Sequence, residues 1–195
     1  MITGLDEPPD PEWPPDDELL ARVAECAPEE VSPIRYGPTV SPHLAAELSG
    51  RPIPCKELSG RIVQMAAGDD AVVVVEGVGG LLVPLADGYS VRDLIADLGL
   101  RLVVAARPGL GTINHTLLTL EGARRAALEV AAVVLTPWPD APAEIERSNR
   151  VTIERLGEVD VHTLPRVGRA EPDLLAASGS ALPLEEWIGY DREPR

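Results

Sequence analysis

From residue 71 to residue 164 the chain alternates two kinds of hydrophobic pattern. Short apolar runs occur at Ala71–Val75, Arg101–Ala106 and Glu129–Leu135, and a more polar stretch at Val159–Leu164 reads as a fourth strand. Between them apolar residues recur every three or four positions, over Ser90–Leu98, from the stretch after Arg107 to about Ala126, and over Ala141–Leu156. Continuous runs bounded by turn residues predict strands buried on both faces, and the wider period predicts helices. Strand and helix in alternation predict one α/β domain over residues 1–195, a parallel sheet flanked by helices. No internal repeat interrupts it.

The first seventy residues are less regular. Residues 5–16 are dense in proline and acid, which excludes helix and central strand and predicts a mobile loop. Asp16 or Asp17 is placed to cap a helix, Asp17–Ala24. Helical patterns follow at His43–Leu48 and over Cys55–Ala67, and residues 166–195 read as a tail with a weak helix over Leu182–Tyr190.

Composition narrows the function. The formal net charge of -15 argues against a nucleic-acid or anionic-membrane surface. Aromatic residues make up 3% and phenylalanine is absent, so the core must be aliphatic. The two cysteines, Cys26 and Cys55, have neither metal-ligand nor redox spacing and suit a reducing cytoplasm. Lys56 is the only lysine among 17 basic residues.

Two stretches carry candidate chemistry. In VVVVEGVGGLLVP, Val72–Pro84, a carboxylate ends an apolar run and three glycines follow it. Glu76 there either meets a cation, a metal or donors, or bonds a neighbouring loop. Gly79 and Gly80 either let backbone N–H groups approach an anion or serve a tight turn. The second stretch, Arg107-Pro-Gly-Leu-Gly-Thr-Ile-Asn-His115, opens a helix directly after a strand. Its free N–H groups suit a carboxylate or phosphate, and an ordinary cap by Thr112 or Asn114 is the alternative.

Together these stretches resemble the ATP-dependent dethiobiotin synthetase family. The matching text is Val75-Glu-Gly-Val-Gly-Gly-Leu-Leu-Val-Pro84, Arg107–His115, Ser41-Pro-His43 with Gly50-Arg-Pro-Ile53, and Ile145-Glu-Arg-Ser-Asn-Arg150. The resemblance implies a P-loop NTPase-like fold and a cytoplasmic homodimer that acts on 7,8-diaminononanoate, CO2 and ATP with Mg²⁺. One amine becomes a carbamate, the γ-phosphoryl group activates it, and the second amine closes the ureido ring. Carried onto this sequence, it makes Glu76 and Asp17 the Mg²⁺ ligands, with Asp16 the neighbouring alternative to Asp17. Thr3 stands where the family has a hydroxyl beside carbamate and phosphate, so Thr3 and Glu76 are the expected catalytic residues. Gly77, Val78 and Gly79 join Asp17 and Glu76 at the nucleotide, while Gly79 and Gly80 approach the diamine. Gly111, Thr112, Ile113 and Asn114 are expected to hold the substrate carboxylate, reached across the dimer interface. Leu164, Pro165 and Arg166 are expected at adenine.

Two departures stand out. The family's G-x-x-x-x-G-K-[ST] loop and its Lys-Pro strand are absent from these residues. The expectation is an N-terminally truncated member, started late by roughly 30–40 residues, a strand–helix–strand unit. Such a chain would bind ATP poorly and make no dethiobiotin. The alternative is a non-catalytic dimeric binding or regulatory relative of the same fold. Thr136 is the second departure: the family usually has asparagine there, and one hydroxyl replaces an amide's paired donor and acceptor.

Overall fold

Three of the four expected strands form a parallel sheet. In the computed structural model, which describes residues 1, 3–7, 13–68 and 71–188, β3 (Leu102–Ala106), β4 (Val130–Trp138) and β5 (Val161–Pro165) stand in the order β3-β4-β5. The register sets Val104 against Val133 and Val134 against His162, all parallel. The connections are α6 (Thr112–Arg125) and α7 (Glu144–Gly157), which pack on the strands and on each other. The resulting core of Val104, Leu120, Val133, Leu135, Ile153 and Val161 is wholly aliphatic, as the composition requires. Strand β4 runs three residues past its expected end, so Thr136 lies inside it rather than after it. Pairing of Trp138 with Pro165 extends the strand.

The α6–α7 contact depends on a missing side chain. A Cβ at Gly157 would stand 2.8 Å from Leu120 Cδ1 and 3.2 Å from Val159 Cγ1. Arg124 of α6 closes the same corner by donating to the carbonyls of Gly157 and Glu158 at the end of α7, where a cation also meets the negative helix terminus. Gly157→Ala is expected to cost about 1–2 kcal/mol, because Leu120 is buried and has little room to yield. Urea unfolding measures this, and an unchanged midpoint would show that the helices separate freely.

These elements belong to one of two compact units, which comprises Gly99–Val167 and the chain from Ala176. The other comprises Met1–Leu98 with Gly168–Leu175. It contains α1 (Asp16–Ala24), α2 (Pro28–Val31), α3 (Pro42–Leu48), α4 (Cys55–Met65) and α5 (Val91–Leu98). A short antiparallel hairpin, β1 (Pro84–Ala86) and β2 (Tyr89–Ser90), leads into α5. The hairpin was not expected from the hydrophobic pattern. Its signal is the dipeptide Asp87-Gly88, with Gly88 at φ 68, a favoured two-residue turn. Ser90 then opens α5 by donating its N–H to Asp93 at 2.8 Å, half of a capping box. The two hydrogen bonds from Ser90, followed by Arg92, hold the Asp93 carboxyl below its ordinary range. The core here gathers Tyr36, Ala45, Ile53, Leu58, Leu85 and Leu94.

Two expectations fail. The run Ala71–Val75, expected as a buried strand, pairs with no strand among the described residues. Val72, Val74 and Val75 are 50%, 86% and 36% exposed. β-Branched residues favour extended backbone, but a strand requires a neighbour to take its N–H and C=O groups. Helix α1 is capped by Pro15 without a side-chain bond, so neither Asp16 nor Asp17 is its cap. Both acids sit in the first turn, where the helix dipole favours them.

Among its described residues the C-terminal tail forms two helices, α8 (Pro172–Gly179) and α9 (Leu184–Trp187). Gly189 and Tyr190 of the expected tail helix, and residues 8–12 of the expected 5–16 loop, lie outside the described residues. Among the described residues no helix is long and apolar enough to cross a membrane.

Candidate functional site

Helix α1 presents two neighbouring acids in different settings. Asp16 is exposed, whereas Asp17 is 2% exposed and forms an ion pair with Arg35 through Oδ2. Arg35 is itself fixed from behind: Arg51 donates to its carbonyl at 2.6 Å and stacks over the Tyr36 ring at 5.1 Å. Asp17 Oδ1 is also buried but has no hydrogen-bond partner. An unpartnered carboxylate oxygen is costly and marks a place where a cation or donor belongs.

Glu76 contributes to the same electrostatic neighbourhood. The residue is exposed, yet the protein around its carboxyl raises its pKa by desolvation, and the Asp16 carboxylate raises it further. The Met1 amine offsets part of this. That amine is desolvated, which lowers its pKa, while Asp17 and then Glu76 raise it. One positive group therefore rests in the field of both carboxylates expected to bind Mg²⁺. Mg²⁺ uses one or two carboxylates and completes its shell with phosphate oxygens and water. The donors fit that pattern, although no group of three or more His, Cys, Asp or Glu able to hold a metal occurs among the described residues.

The other residues of this unit are less tightly joined. Thr3 is half-buried and precedes a segment tied to the 36–38 loop by Gly4 to Pro38 and Asp6 to Gly37 hydrogen bonds of 3.1 and 2.9 Å. No hydrogen bond joins Thr3 to Glu76 among the described residues. Gly77 is confined by Val91, at 3.2 Å from a Cβ placed on it, and Val78 is half-buried. Gly79 has φ +73, and a Cβ there would meet Val83 Cγ2 at 2.9 Å, so glycine is required by the turn itself. Around Gly80 there is open space.

In the sheet unit, α6 starts at Gly111, which takes the cap position at φ 90 with no side-chain cap. Capping by Thr112 or Asn114 is therefore not what the chain does. Thr112 instead faces inward and its hydroxyl meets that of Thr116 at 3.3 Å, both buried. Gly111 and Asn114 are exposed and Ile113 is half-buried. The N–H groups of Ile113 and Asn114 are first-turn donors that helix geometry leaves without an internal acceptor. At the far ends of β4 and β5, Thr136 and Leu164 are half-buried, while Pro165 and Arg166 are exposed. The register shifts between the Leu135–Thr163 and Trp138–Pro165 pairs, so that Thr136 and Pro137 of β4 stand against Leu164 alone of β5. The carboxyl ends of parallel strands are where such sheets take ligands.

Arg35 was not foreseen. Eighteen residues separate it from Asp17, and nothing in the local pattern links them.

Comparison with known proteins identifies the family. A family described as AAA domain matches residues 9–171. The ATP-dependent dethiobiotin synthetase BioD of Haloferax mediterranei is 33% identical over 93% of this chain and 79% of its own length. The protein of the same name from Mycobacterium leprae is 35% identical over 88% of this chain and 77% of its own. That of Mycobacterium marinum is 41% identical over 72% of this chain, which spans 63% of it. With its parallel sheet and flanking helices, a P-loop NTPase-like fold, the chain belongs to the ATP-dependent dethiobiotin synthetase family.

Proposed function

We propose that the protein is an ATP- and Mg²⁺-dependent ligase that closes the ureido ring of dethiobiotin from 7,8-diaminononanoate and CO2. The observation that carries the reading is the similarity to a dethiobiotin synthetase over 93% of the chain. Asp17 and Glu76 hold the metal, which when bound supplies positive charge to the phosphates. Thr3 offers its hydroxyl to carbamate and phosphate, Gly77, Val78 and Gly79 meet the nucleotide, and Gly79 and Gly80 leave room for the diamine. Gly111, Thr112, Ile113 and Asn114 fix the substrate carboxylate through N–H groups, in a homodimer of cytoplasmic location. Thr136 with Leu164, Pro165 and Arg166 holds the base of ATP.

A second reading, a non-catalytic binding relative, draws on the ion pair between Arg35 and Asp17, which already gives one expected metal ligand a protein partner. The deciding assay mixes diaminononanoate, bicarbonate and Mg-ATP and follows dethiobiotin and phosphate. It is run on this chain and on one carrying any residues encoded in frame before Met1. Diamine-dependent phosphate release with dethiobiotin is expected in the extended form, with little or none in this chain. Diamine binding without either product in both forms would favour the second reading.

A further inference from the structure

We propose that Asn149, on α7, is a positioning residue that orients the loop before α6 so that the loop offers N–H groups, not carbonyls, to the substrate carboxylate. The inference rests on the reading of Gly111–Asn114 as the carboxylate site. Asn149 is 7% exposed and shares one buried stripe of α7 with Ile153 and Gly157, each four residues apart. Its Nδ2 donates to the carbonyl of Pro108 at 2.8 Å and to that of Gly109 at 3.1 Å. Both hydrogens of the amide are thus spent on two consecutive peptide groups, forty residues away in sequence.

This geometry has a directional consequence. In a trans peptide the C=O and the following N–H point opposite ways. Drawing the carbonyls of Pro108 and Gly109 toward α7 therefore turns the N–H groups of Gly109 and Leu110 away from it. The Gly109 carbonyl also accepts from Thr112 N–H at 3.3 Å, which ties the oriented loop to the first turn of α6. The loop Pro108–Gly111 has no polar side chain of its own, and Leu110 points into solvent, so nothing within it chooses between the two peptide orientations. Asn149 makes the choice, and it removes two carbonyl oxygens that would repel an anion.

The test compares 7,8-diaminononanoate with 2,3-diaminononane, the same diamine lacking the carboxylate. Wild type should bind the acid more tightly. Asn149→Asp turns the donors into acceptors facing two carbonyls, and it should weaken acid binding about tenfold while leaving the plain diamine unchanged. Asn149→Leu keeps the site buried without donors and should show the same selective loss; it carries the test if the aspartate variant does not fold. Amide NMR shifts of Gly109 to Ile113 should move in both. Wild-type discrimination with unchanged affinities in the variants would overturn the role of Asn149. Equal losses for both diamines would reduce Asn149 to a structural residue and overturn it as well. A wild type that binds the two probes alike would instead refute the carboxylate site, and this proposal with it.

Discussion

Glu76→Gln is expected to leave the protein folded and to lower Mg²⁺-dependent dethiobiotin formation by at least about 100-fold, more than the loss usual for residues one layer behind a metal. Desolvation and Asp16 disfavour the charged carboxylate in the folded state. A neutral amide of the same shape relieves that repulsion, so the melting temperature without metal should stay level or rise. A residue that destabilises the resting protein yet is needed for turnover is behaving as a functional group. Two measurements check this: turnover in whichever form of the protein makes dethiobiotin, and the Mg²⁺-induced rise in melting temperature of this chain. Wild type should show the rise and Glu76→Gln should not. An undiminished rise in the variant would return Glu76 to a structural role.

Arg35→Met carries the largest expected cost in stability, about 3 kcal/mol by urea unfolding, the lower end for breaking a buried ion pair because Arg35 keeps part of its surface in water. The cost arises from Asp17, which stays buried and negative after its partner is gone. Removing that charge too, in Arg35→Met with Asp17→Asn, should recover part of the loss. Mg²⁺ should stabilise Arg35→Met more than wild type if Asp17 is a metal ligand, since the ion then replaces the guanidinium. A single-variant loss below about 1 kcal/mol, typical of surface pairs, would show that water reaches Asp17 readily.

The sheet unit was legible because its signals are local. Apolar runs alternating with helical periods give β3, α6, β4 and α7, and the more polar stretch after α7 gives β5, all with ends off by a few residues. The same rule misread Ala71–Val75, since the run looks like β3 in composition and differs only in having no strand beside it. Hydrophobicity describes what a segment can do; the neighbour decides whether it does so. At the candidate site, Thr136 and Leu164–Arg166 came from the family resemblance, and the structure places Thr136, Leu164 and Pro165 in the last residues of β4 and β5 with Arg166 just beyond. Arg35 was invisible because its role depends on two loops folding toward α1. Asn149 left a faint trace, a polar residue four positions before Ile153 on an otherwise buried stripe, and that trace is what a periodicity search discards as noise.

The bare segment at Ala71–Val75 also bears on handling. β-Branched runs with open backbone groups are templates for pairing between molecules. From residue 71 to residue 86 Glu76 is the sole charged side chain. The carboxylate proposed to hold a metal is thus also the gatekeeper against self-association. On that proposal solubility and catalysis draw on one charge, so a Glu76 variant tests colloidal behaviour as well as chemistry.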